Sequence, residues 1–215
     1  MVILRPQNAT ERGFPLKHQN VRQRLIERTV SVIAADGLDK TTTKAIVKST
    51  DIPEAYIYQY FNAKEELLAA AFDILDGELA EKVMSSANII FACESIFGID
   101  IADFSYEAKY KLFFSSVWRF LVDNREKCFA YIRYFYSPYF EKYSATEHKK
   151  RYTLLIEQIS GSFREDADVW LLLSHILNVM FDLALKVFSK ELSDDEKTAE
   201  QAFRLIYCAI QPYFK

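Results

Sequence analysis

Apolar side chains recur every three or four residues along most of the chain, which is the spacing of one face of an α-helix. In the first such run, Val21, Leu25 and Ile33 fall at helical spacing, and Gly37 follows as a residue that readily ends a helix in the left-handed conformation. A helix is therefore predicted over residues 18–36. The 215 residues include only 5 Gly and 5 Pro, so few positions interrupt helices of this kind. The pattern predicts an all-α fold.

Two short segments follow, each with the length of about two helical turns. Threonine hydroxyls can cap a segment over residues 44–49, and the pattern breaks at residues 50–52. Pro53 suits the first position of the next helix, because its ring fixes φ and an N–H would have no partner there. A third helix is therefore predicted over residues 53–60, and a fourth over residues 64–85 links this region to the rest of the chain.

The remaining chain predicts longer helices and one stretch that fits no single period. Residues 87–104 contain Gly98 and several β-branched side chains, so a short helix and a loop are expected there. Asn124 is placed to cap one later helix, and Ser193 is placed to cap the last one in a capping box with Glu196. Helices are predicted over residues 105–122, 125–141, 146–160, 166–190 and 194–213.

Charge divides the chain into two parts. The first 64 residues hold ten Lys and Arg against six Asp and Glu, a balance of +4, whereas the others hold seventeen against twenty-four, a balance of −7. A basic head on an acidic body suits a protein that places one end against phosphates. We therefore predict two domains, an N-terminal arm and head over residues 1–64 and a larger helical body over residues 65–215.

Few residues indicate enzymatic, metal or membrane chemistry. Cys93, Cys128 and Cys208 are far apart and lack a ligand spacing, so we expect no disulfide framework, metal site or cofactor. The sequence has no Gly-rich phosphate loop, nucleophile motif or Cys/His cluster, so we expect no enzymatic activity. The N-terminus lacks a signal-peptide pattern, and the apolar run at 169–188 contains charged residues. We expect a cytoplasmic protein that does not bind membranes.

The first three helices have the arrangement of a helix-turn-helix, in which the second short helix enters the major groove of DNA. A small core of Ala45, Ile46, Ile52, Ile57 and Phe61 is expected to hold these helices together. The residues expected to contact bases or phosphates of double-stranded DNA lie on the recognition helix and at the ends of its neighbours. They are Thr42, Lys44, Lys48, Pro53, Glu54, Tyr56, Tyr58, Gln59, Tyr60 and Lys64.

A signature over about residues 20–70 resembles that of the TetR family of bacterial transcription regulators. It consists, in order and spacing, of Gly37, Thr42, Ile46, Ile57-Tyr58, Phe61, Lys64-Glu65 and Leu67-Leu68. The resemblance implies phosphate contacts by Thr42, Tyr58 and Lys64 at positions where hydroxyl and ammonium groups can donate to an anion. It also implies a ligand-responsive regulator, typically a repressor, that binds a palindromic operator as a homodimer.

The sequence departs from the family pattern at four positions of the helix-turn-helix. Asp51 stands where Gly is usual and tolerates a left-handed conformation less well than Gly, Val47 stands for Ala, and Tyr56 stands for Thr or Ser. Glu54 would repel phosphate, although its carboxylate can accept a hydrogen bond from cytosine N4. These departures leave an alternative open, namely a helical small-molecule-binding or interaction protein whose DNA-binding head has lost its function.

Aromatic residues are concentrated in the body, where 16 of the 32 lie between residues 104 and 152. Such a set can line a pocket for a lipophilic or aromatic effector, or it can simply fill a core. His175, within an apolar helix, is expected to be a hydrogen-bonded core residue that also reaches this pocket. The candidate effector-binding residues are Tyr110, Phe114, Trp118, Tyr131, Tyr134, Phe135 and His175.

The last two predicted helices suggest a dimer interface. Ser174, Asn178, Asp182 and Lys186 form a narrow polar stripe on an otherwise apolar helix, which therefore has to bury most of its circumference. The final helix has an apolar face of Ala199, Ala202, Phe203, Ile206, Ala209 and Ile210. Two such helices from each protomer are expected to form a four-helix interface across a two-fold axis.

Overall fold

A computed structural model describes residues 14–48, 50–92, 95–96, 99–100 and 104–215, and within them the predicted all-α fold is confirmed. The helices are α1 (Phe14–Asp36), α2 (Thr43–Val47), α3 (Ile57–Tyr60), α4 (Lys64–Ala92), α5 (Tyr106–Asp123), α6 (Arg125–Phe135), α7 (Pro138–Tyr143), α8 (Ala145–Ile159), α9 (Val169–Phe188) and α10 (Glu196–Ile210). Short 3-10 turns occur at Glu54–Tyr56, Ser160–Ser162 and Gln211–Tyr213. The predicted arm as far as residue 13, Ser49, Cys93 and Gly98 lie outside the described residues.

The helices of the head begin and end close to the predicted positions. Gly37 has a φ of +82° and ends α1, with its N–H bonded to the carbonyl oxygen of Ile33 at 3.0 Å. The hydroxyl of Thr42 accepts from the N–H of Ala45 at 3.1 Å and caps α2. Pro53 precedes the third helix instead of opening it, because its ψ of 141° is extended and its carbonyl oxygen starts the 3-10 turn that leads into α3.

The stretch predicted as a short helix and a loop is different in the structure. α4 continues to Ala92, because Ala87 is buried in the core and packing outweighs the weak helix propensity of the neighbouring β-branched residues. β1 (Ser95–Ile96) and β2 (Ile99–Asp100) then pair antiparallel and form a minimal hairpin. The sequence pattern therefore underestimated the length of α4 and missed the hairpin.

The predicted single helix over residues 125–141 is two helices. Pro138 occupies the first turn of α7, and the residue before a proline disfavours helical geometry, so Ser137 has an extended ψ of 160°. The predicted cap by Asn124 is also wrong, because its side chain donates to the carbonyl oxygen of Phe120 at 2.7 Å and closes α5.

The last helix is capped by Asp195 and not by Ser193. The carboxylate of Asp195 accepts from the N–H of Thr198 at 2.8 Å, and this hydrogen bond lowers the pKa of Asp195. An aspartate two residues further along therefore takes the role predicted for the serine, and α10 begins at Glu196. Cys128 and Cys208 are both free thiols, and burial raises the pKa of Cys128 to about 12.

α4 is the central helix of the structure. It packs against α1 of the head and against α5, α6, α7 and α8 of the body, while α9 packs against α5, α6 and α10. A continuous core extends from Leu25 in α1 to Ile210 in α10. By length and composition alone α9 is of membrane-spanning type, but Ile176, Met180 and Ala184 on its inner face are buried in this core.

Candidate nucleic-acid interface and effector cavity

The helix-turn-helix has the small apolar core that its sequence predicts. Ile46, Ile57 and Phe61 are 0–2% exposed and Ile52 is 6% exposed, whereas Ala45 is half-buried at the edge. α2 and α3 are too short to be stable alone, so these contacts with α1 and α4 fix their directions. The recognition helix is therefore held rigidly relative to the start of α4.

The turn between the two short helices is organised by a threonine and an ion pair. The hydroxyl of Thr50 donates to the carbonyl oxygen of Val47 at 2.7 Å and accepts from the N–H of Ile52 at 3.2 Å. Asp51 forms an ion pair with Arg24 of α1, and the hydrogen bond from Arg24 lowers the pKa of Asp51. Among the described residues only Gly37 and Lys190 have a positive φ, so this turn does not require a left-handed conformation of Asp51.

Large aromatic side chains are exposed on the recognition helix. Tyr58 is 59% exposed and Tyr56 is 40% exposed, so neither ring is part of the apolar core of the head. The predicted DNA-contacting residues all lie in this part of the head. Thr42, Lys44, Lys48, Pro53, Tyr56, Tyr58 and Gln59 are exposed, whereas Glu54, Tyr60 and Lys64 are half-buried.

Glu54 is half-buried, so its carboxylate is less accessible to DNA than a fully exposed side chain at this position would be. One of its carboxylate oxygens accepts a hydrogen bond from the hydroxyl of Thr43 at 2.5 Å, which links the start of α2 to the start of the recognition unit. This contact lowers the negative charge density that Glu54 would present to phosphates, because the donor hydroxyl partly compensates it. Its other oxygen is left for a base or for water.

Replacing Glu54 by alanine is expected to change which DNA sequences the head prefers, because the variant lacks a carboxylate that can accept from cytosine N4. Selection from a randomised DNA pool measures this preference. The matched control is Thr43→Val, which removes the same internal hydrogen bond and keeps the carboxylate. An unchanged preference in Glu54→Ala would exclude Glu54 from sequence reading, and an equal change in Thr43→Val would assign the effect to the internal hydrogen bond.

The body contains a cavity of about 80 Å3 between α6, α8 and α9. No Asp, Glu, Lys or Arg side chain lines it, and aromatic rings, including the imidazole of His148, form most of its wall. The lining residues are Tyr131, Ile132, Phe135, His148, Tyr152, Trp170, Leu173, Ser174, Leu177, Asn178 and Phe181. A cavity of this size is large enough for several waters or for a small ring compound.

Two of the seven predicted effector residues, Tyr131 and Phe135, line this cavity. The other five lie elsewhere. Tyr134 stacks on Phe72 at 4.7 Å in the core, Trp118 stacks on Phe114 at 5.8 Å, and Tyr110 and Phe114 lie against Tyr207 and Phe203 of α10. His175 is exposed on the outer face of α9, so the prediction of a core histidine is wrong.

A buried carboxylate behind the cavity wall was missed by the sequence analysis. Asp76 of α4 is 0% exposed and accepts hydrogen bonds from the hydroxyl of Tyr131 at 3.2 Å and from Nδ1 of His148 at 2.9 Å. It also forms an ion pair with Arg151, whose guanidinium donates to Asp73 at 2.7 Å as well. Residues of α6 and α8 that line the cavity are thus bonded directly to α4.

Two signals in the sequence point to this cluster. Asp76 falls at an apolar position of the fourth helix, between Leu75 and Leu79, and His148, Arg151 and Tyr152 lie three and four residues apart on one helix face. Neither signal identifies the partner, because the two segments are more than seventy residues apart in the chain.

Burial raises the pKa of both cavity tyrosines next to Asp76. For Tyr131 and Tyr152 the loss of hydration is the main cause, and the nearby carboxylate adds to it. Both therefore remain neutral phenols. The hydroxyl of Tyr152 is buried without a hydrogen-bond partner, which leaves one donor in the cavity wall unsatisfied.

Comparison with known proteins identifies the head and the fold. Residues 25–71 match the family model described as "Bacterial regulatory proteins, tetR family". A TetR family transcription regulator from Marinobacter aquaeolei VT8 has a similar structure, with a TM-score of 0.72 and 16% sequence identity over 91% of this chain and 98% of that protein. A search of curated protein sequences gives no match.

Two further solved structures have similar folds. The fatty acid degradation regulator FadR from Bacillus halodurans is 22% identical, with a TM-score of 0.62 over 86% of this chain and 96% of its own. A protein from Saccharomonospora viridis, described as a transcriptional regulator in complex with choline, is 13% identical, with a TM-score of 0.55 over 90% of this chain and 96% of its own. At these identities the likeness establishes the fold alone.

Proposed function

We propose that this chain is a cytoplasmic, non-enzymatic transcription repressor that responds to a small molecule. Its head matches the tetR family model, and its fold is that of TetR-family regulators. The observation that carries the proposal is the exposed recognition face, where Tyr56 and Tyr58 stand beside Lys44, Lys48 and Lys64 on a rigid helix-turn-helix core. In this proposal residues 1–64 bind DNA and residues 65–215 bind the effector and the second protomer.

The two acidic departures from the family pattern are compatible with DNA binding. Asp51 is paired with Arg24, so its charge is compensated within the head, whereas Glu54 accepts a hydrogen bond from the neutral hydroxyl of Thr43. An uncompensated carboxylate at position 51 would repel the DNA backbone. The pairing of Asp51 therefore favours a functional head over the alternative in which the head has lost its role.

We propose that the dimer uses the outer faces of α9 and α10. Leu171 and Leu205 are 64% and 66% exposed, so each of these two helices offers an apolar side chain to a partner. The face of α10 predicted for the interface does not fit, since Ala202, Phe203, Ile206 and Ile210 are buried in the core of their own protomer. The outer face instead contains Leu205, Cys208 and Ala209, and that of α9 contains Leu171, His175, Asn178 and Asp182.

A dimer of this kind places two heads on successive turns of one DNA face, so the operator is expected to be palindromic.

Replacing Leu205 by aspartate is expected to convert the dimer to monomers, because two charges would be buried in each interface. Replacing Asp182 by arginine tests the α9 face in the same way. Light scattering of the purified protein measures the mass, and Leu154→Asp, at an exposed leucine of α8, is the control. A dimeric mass for both interface variants would contradict the proposed faces.

We propose that the cavity between α6, α8 and α9 binds the effector, and that the effector is a small, uncharged lipophilic or aromatic compound. Aromatic rings line the cavity, no Asp, Glu, Lys or Arg side chain does, and Asp76 behind the wall is already paired with Arg151. The Saccharomonospora viridis protein binds choline, a cation, but this cavity offers no free carboxylate for one. Tyr131 and His148 connect the cavity to α4, so an occupied cavity is expected to alter the position of the heads.

DNA binding tests the proposed function directly. The full chain is titrated with a DNA fragment taken from beside its own gene and with an unrelated fragment of equal length, between about 50 and 200 mM salt. A regulator is expected to bind the first fragment at least about a thousandfold more tightly, which is the low end of specificity for such proteins. Its affinity is expected to fall steeply as the salt concentration rises. Equal, weak binding of both fragments would favour the alternative of a head that no longer functions.

A further inference from the structure

Three arginines converge where α1 of the head packs against α6 of the body. Arg28 is on α1, Arg125 and Arg133 are on α6, and together with Phe129 and Glu126 they line a shallow concave surface of about 720 Å3. This surface uses a different face of α6 from the effector cavity, which is lined from that helix by residues 131, 132 and 135. It is therefore a second concave feature, located on the seam between the two predicted domains.

Two of the guanidinium groups, those of Arg125 and Arg133, lie over the ring of Phe129. The Cζ atoms of Arg125 and Arg133 lie 5.4 and 5.6 Å from the centroid of the Phe129 ring, so they are at most about 11 Å apart. Arg133 is further fixed by two hydrogen bonds of 2.8 Å from its Nη1 to the carbonyl oxygens of Ile33 and Ala34 in the last turn of α1. The charge of Arg133 is thus positioned by the fold, whereas Arg125 is an exposed side chain that lies over the same ring.

Among the described residues no ion pair compensates these positive charges, although Glu126 lines the same surface. In the part of the chain that the structure describes, no carboxylate lies within 4.0 Å of Arg28, Arg125 or Arg133, whereas Arg119, Arg151 and Arg204 of the body are each paired. Nε of Arg28 is buried without a hydrogen-bond partner. Like charges on one surface repel one another when no ion pair compensates them, and an anion bound there would relieve that repulsion.

We propose that this surface binds a small phosphate-bearing anion. Guanidinium groups bind phosphate oxygens through paired, charge-assisted hydrogen bonds, and three of them here face one concave surface. Because Arg28 belongs to α1 and the other two belong to α6, the bound anion bridges the head and the body. The site is separate from the effector cavity and from the predicted DNA-contacting residues, and anion binding there acts as a second input that stabilises the seam.

Calorimetric titration of the full chain at low salt with pyrophosphate, orthophosphate and glycerol phosphate tests the proposal. We expect saturable binding with a dissociation constant of about 1 mM or lower. Arg125→Gln and Arg28→Gln are each expected to weaken it about tenfold, the effect of one hydrogen bond to a charged group. Lys149→Gln, at an exposed cation of α8, is the control and should leave binding unchanged. Tighter binding of glycerol phosphate than of orthophosphate would indicate a phosphorylated metabolite, and the reverse would indicate free phosphate.

Two results would overturn the proposal. The first is the absence of saturable binding by all three anions. The second is an equal loss of affinity in Lys149→Gln and in the arginine variants, which would show a general effect of net charge. Arg125 is exposed, so Arg125→Gln measured without added anion should unfold at nearly the same temperature as the parent protein. This variant therefore keeps the test decisive even if Arg28→Gln is unstable.

Discussion

Replacing Asp76 by alanine is expected to lower the free energy of unfolding by about 3 kcal/mol, the low end for breaking a buried ion pair. The carboxylate is fully buried and is bonded to Tyr131, His148 and Arg151, so its loss leaves three donors without their acceptor. The low end applies because the Arg151 side chain is 27% exposed and can recover part of its hydration. Urea unfolding followed by circular dichroism measures the change.

Asp73→Ala is the matched control for this prediction. Asp73 binds the same guanidinium of Arg151 but is 60% exposed, and exposed ion pairs contribute about 0–1 kcal/mol. The difference between the two variants therefore isolates the effect of burial. Losses of stability that are equal in the two variants would contradict the role given to Asp76 as the point where α4 is fixed to α6 and α8.

Replacing Lys64 by glutamine is expected to weaken binding to every DNA sequence by about a hundredfold. The ammonium lies at the start of α4, where backbone N–H groups already favour an anion, and a hydrogen bond to a charged group contributes about 1.5 kcal/mol. A dimer loses this contact twice, which doubles the change in free energy. The slope of log affinity against log salt is expected to fall by about two, one for each phosphate contact.

Fluorescence anisotropy with operator and non-operator DNA measures both quantities for Lys64→Gln. Lys149→Gln, which removes one positive charge from the exposed surface of α8, is the control for net charge. A loss confined to the operator would mean that Lys64 reads sequence, and an unchanged salt slope would mean that it does not contact a phosphate.

The head could be predicted almost completely from sequence because its determinants are local. Gly37 ends α1, Thr42 caps α2 and Pro53 precedes the recognition unit, and each of these acts within four residues of its position. The turn between α2 and α3 is less local, since Asp51 has no positive φ and forms an ion pair with Arg24, 27 residues away.

The body was harder to predict because several side chains had a choice of partner. Asn124 could cap the helix after it or close the helix before it, and it closes α5. Ser193 and Asp195 could both cap α10, and the carboxylate does so. Periodicity indicates which residues form a helix, but it does not decide between competing hydrogen bonds of similar strength.

The cavity is the part that sequence reasoning identified least well. The concentration of aromatic residues in the body did indicate a cavity lined by aromatic rings. However, the predicted Tyr134 and Trp118 fill the core, whereas Tyr152 and Trp170, which were not predicted, line the cavity. Which ring faces a cavity depends on how α6, α8 and α9 pack, and that packing joins segments far apart in the chain. The wall of the cavity could be assigned only after these three helices were placed.

The unbroken length of α4 gives the molecule a lever arm. Asp76 and Lys64 are twelve residues apart on one helix, which is about 18 Å along its axis. With Asp76 as the pivot, a tilt of about 5° moves the start of α4 by about 1.6 Å, three times the width of the usual range of hydrogen-bond lengths. A rearrangement around the cavity too small to disturb its own packing would therefore be magnified at the start of α4, and in the proposed dimer it would become a misfit between the two heads and the helical repeat of the DNA.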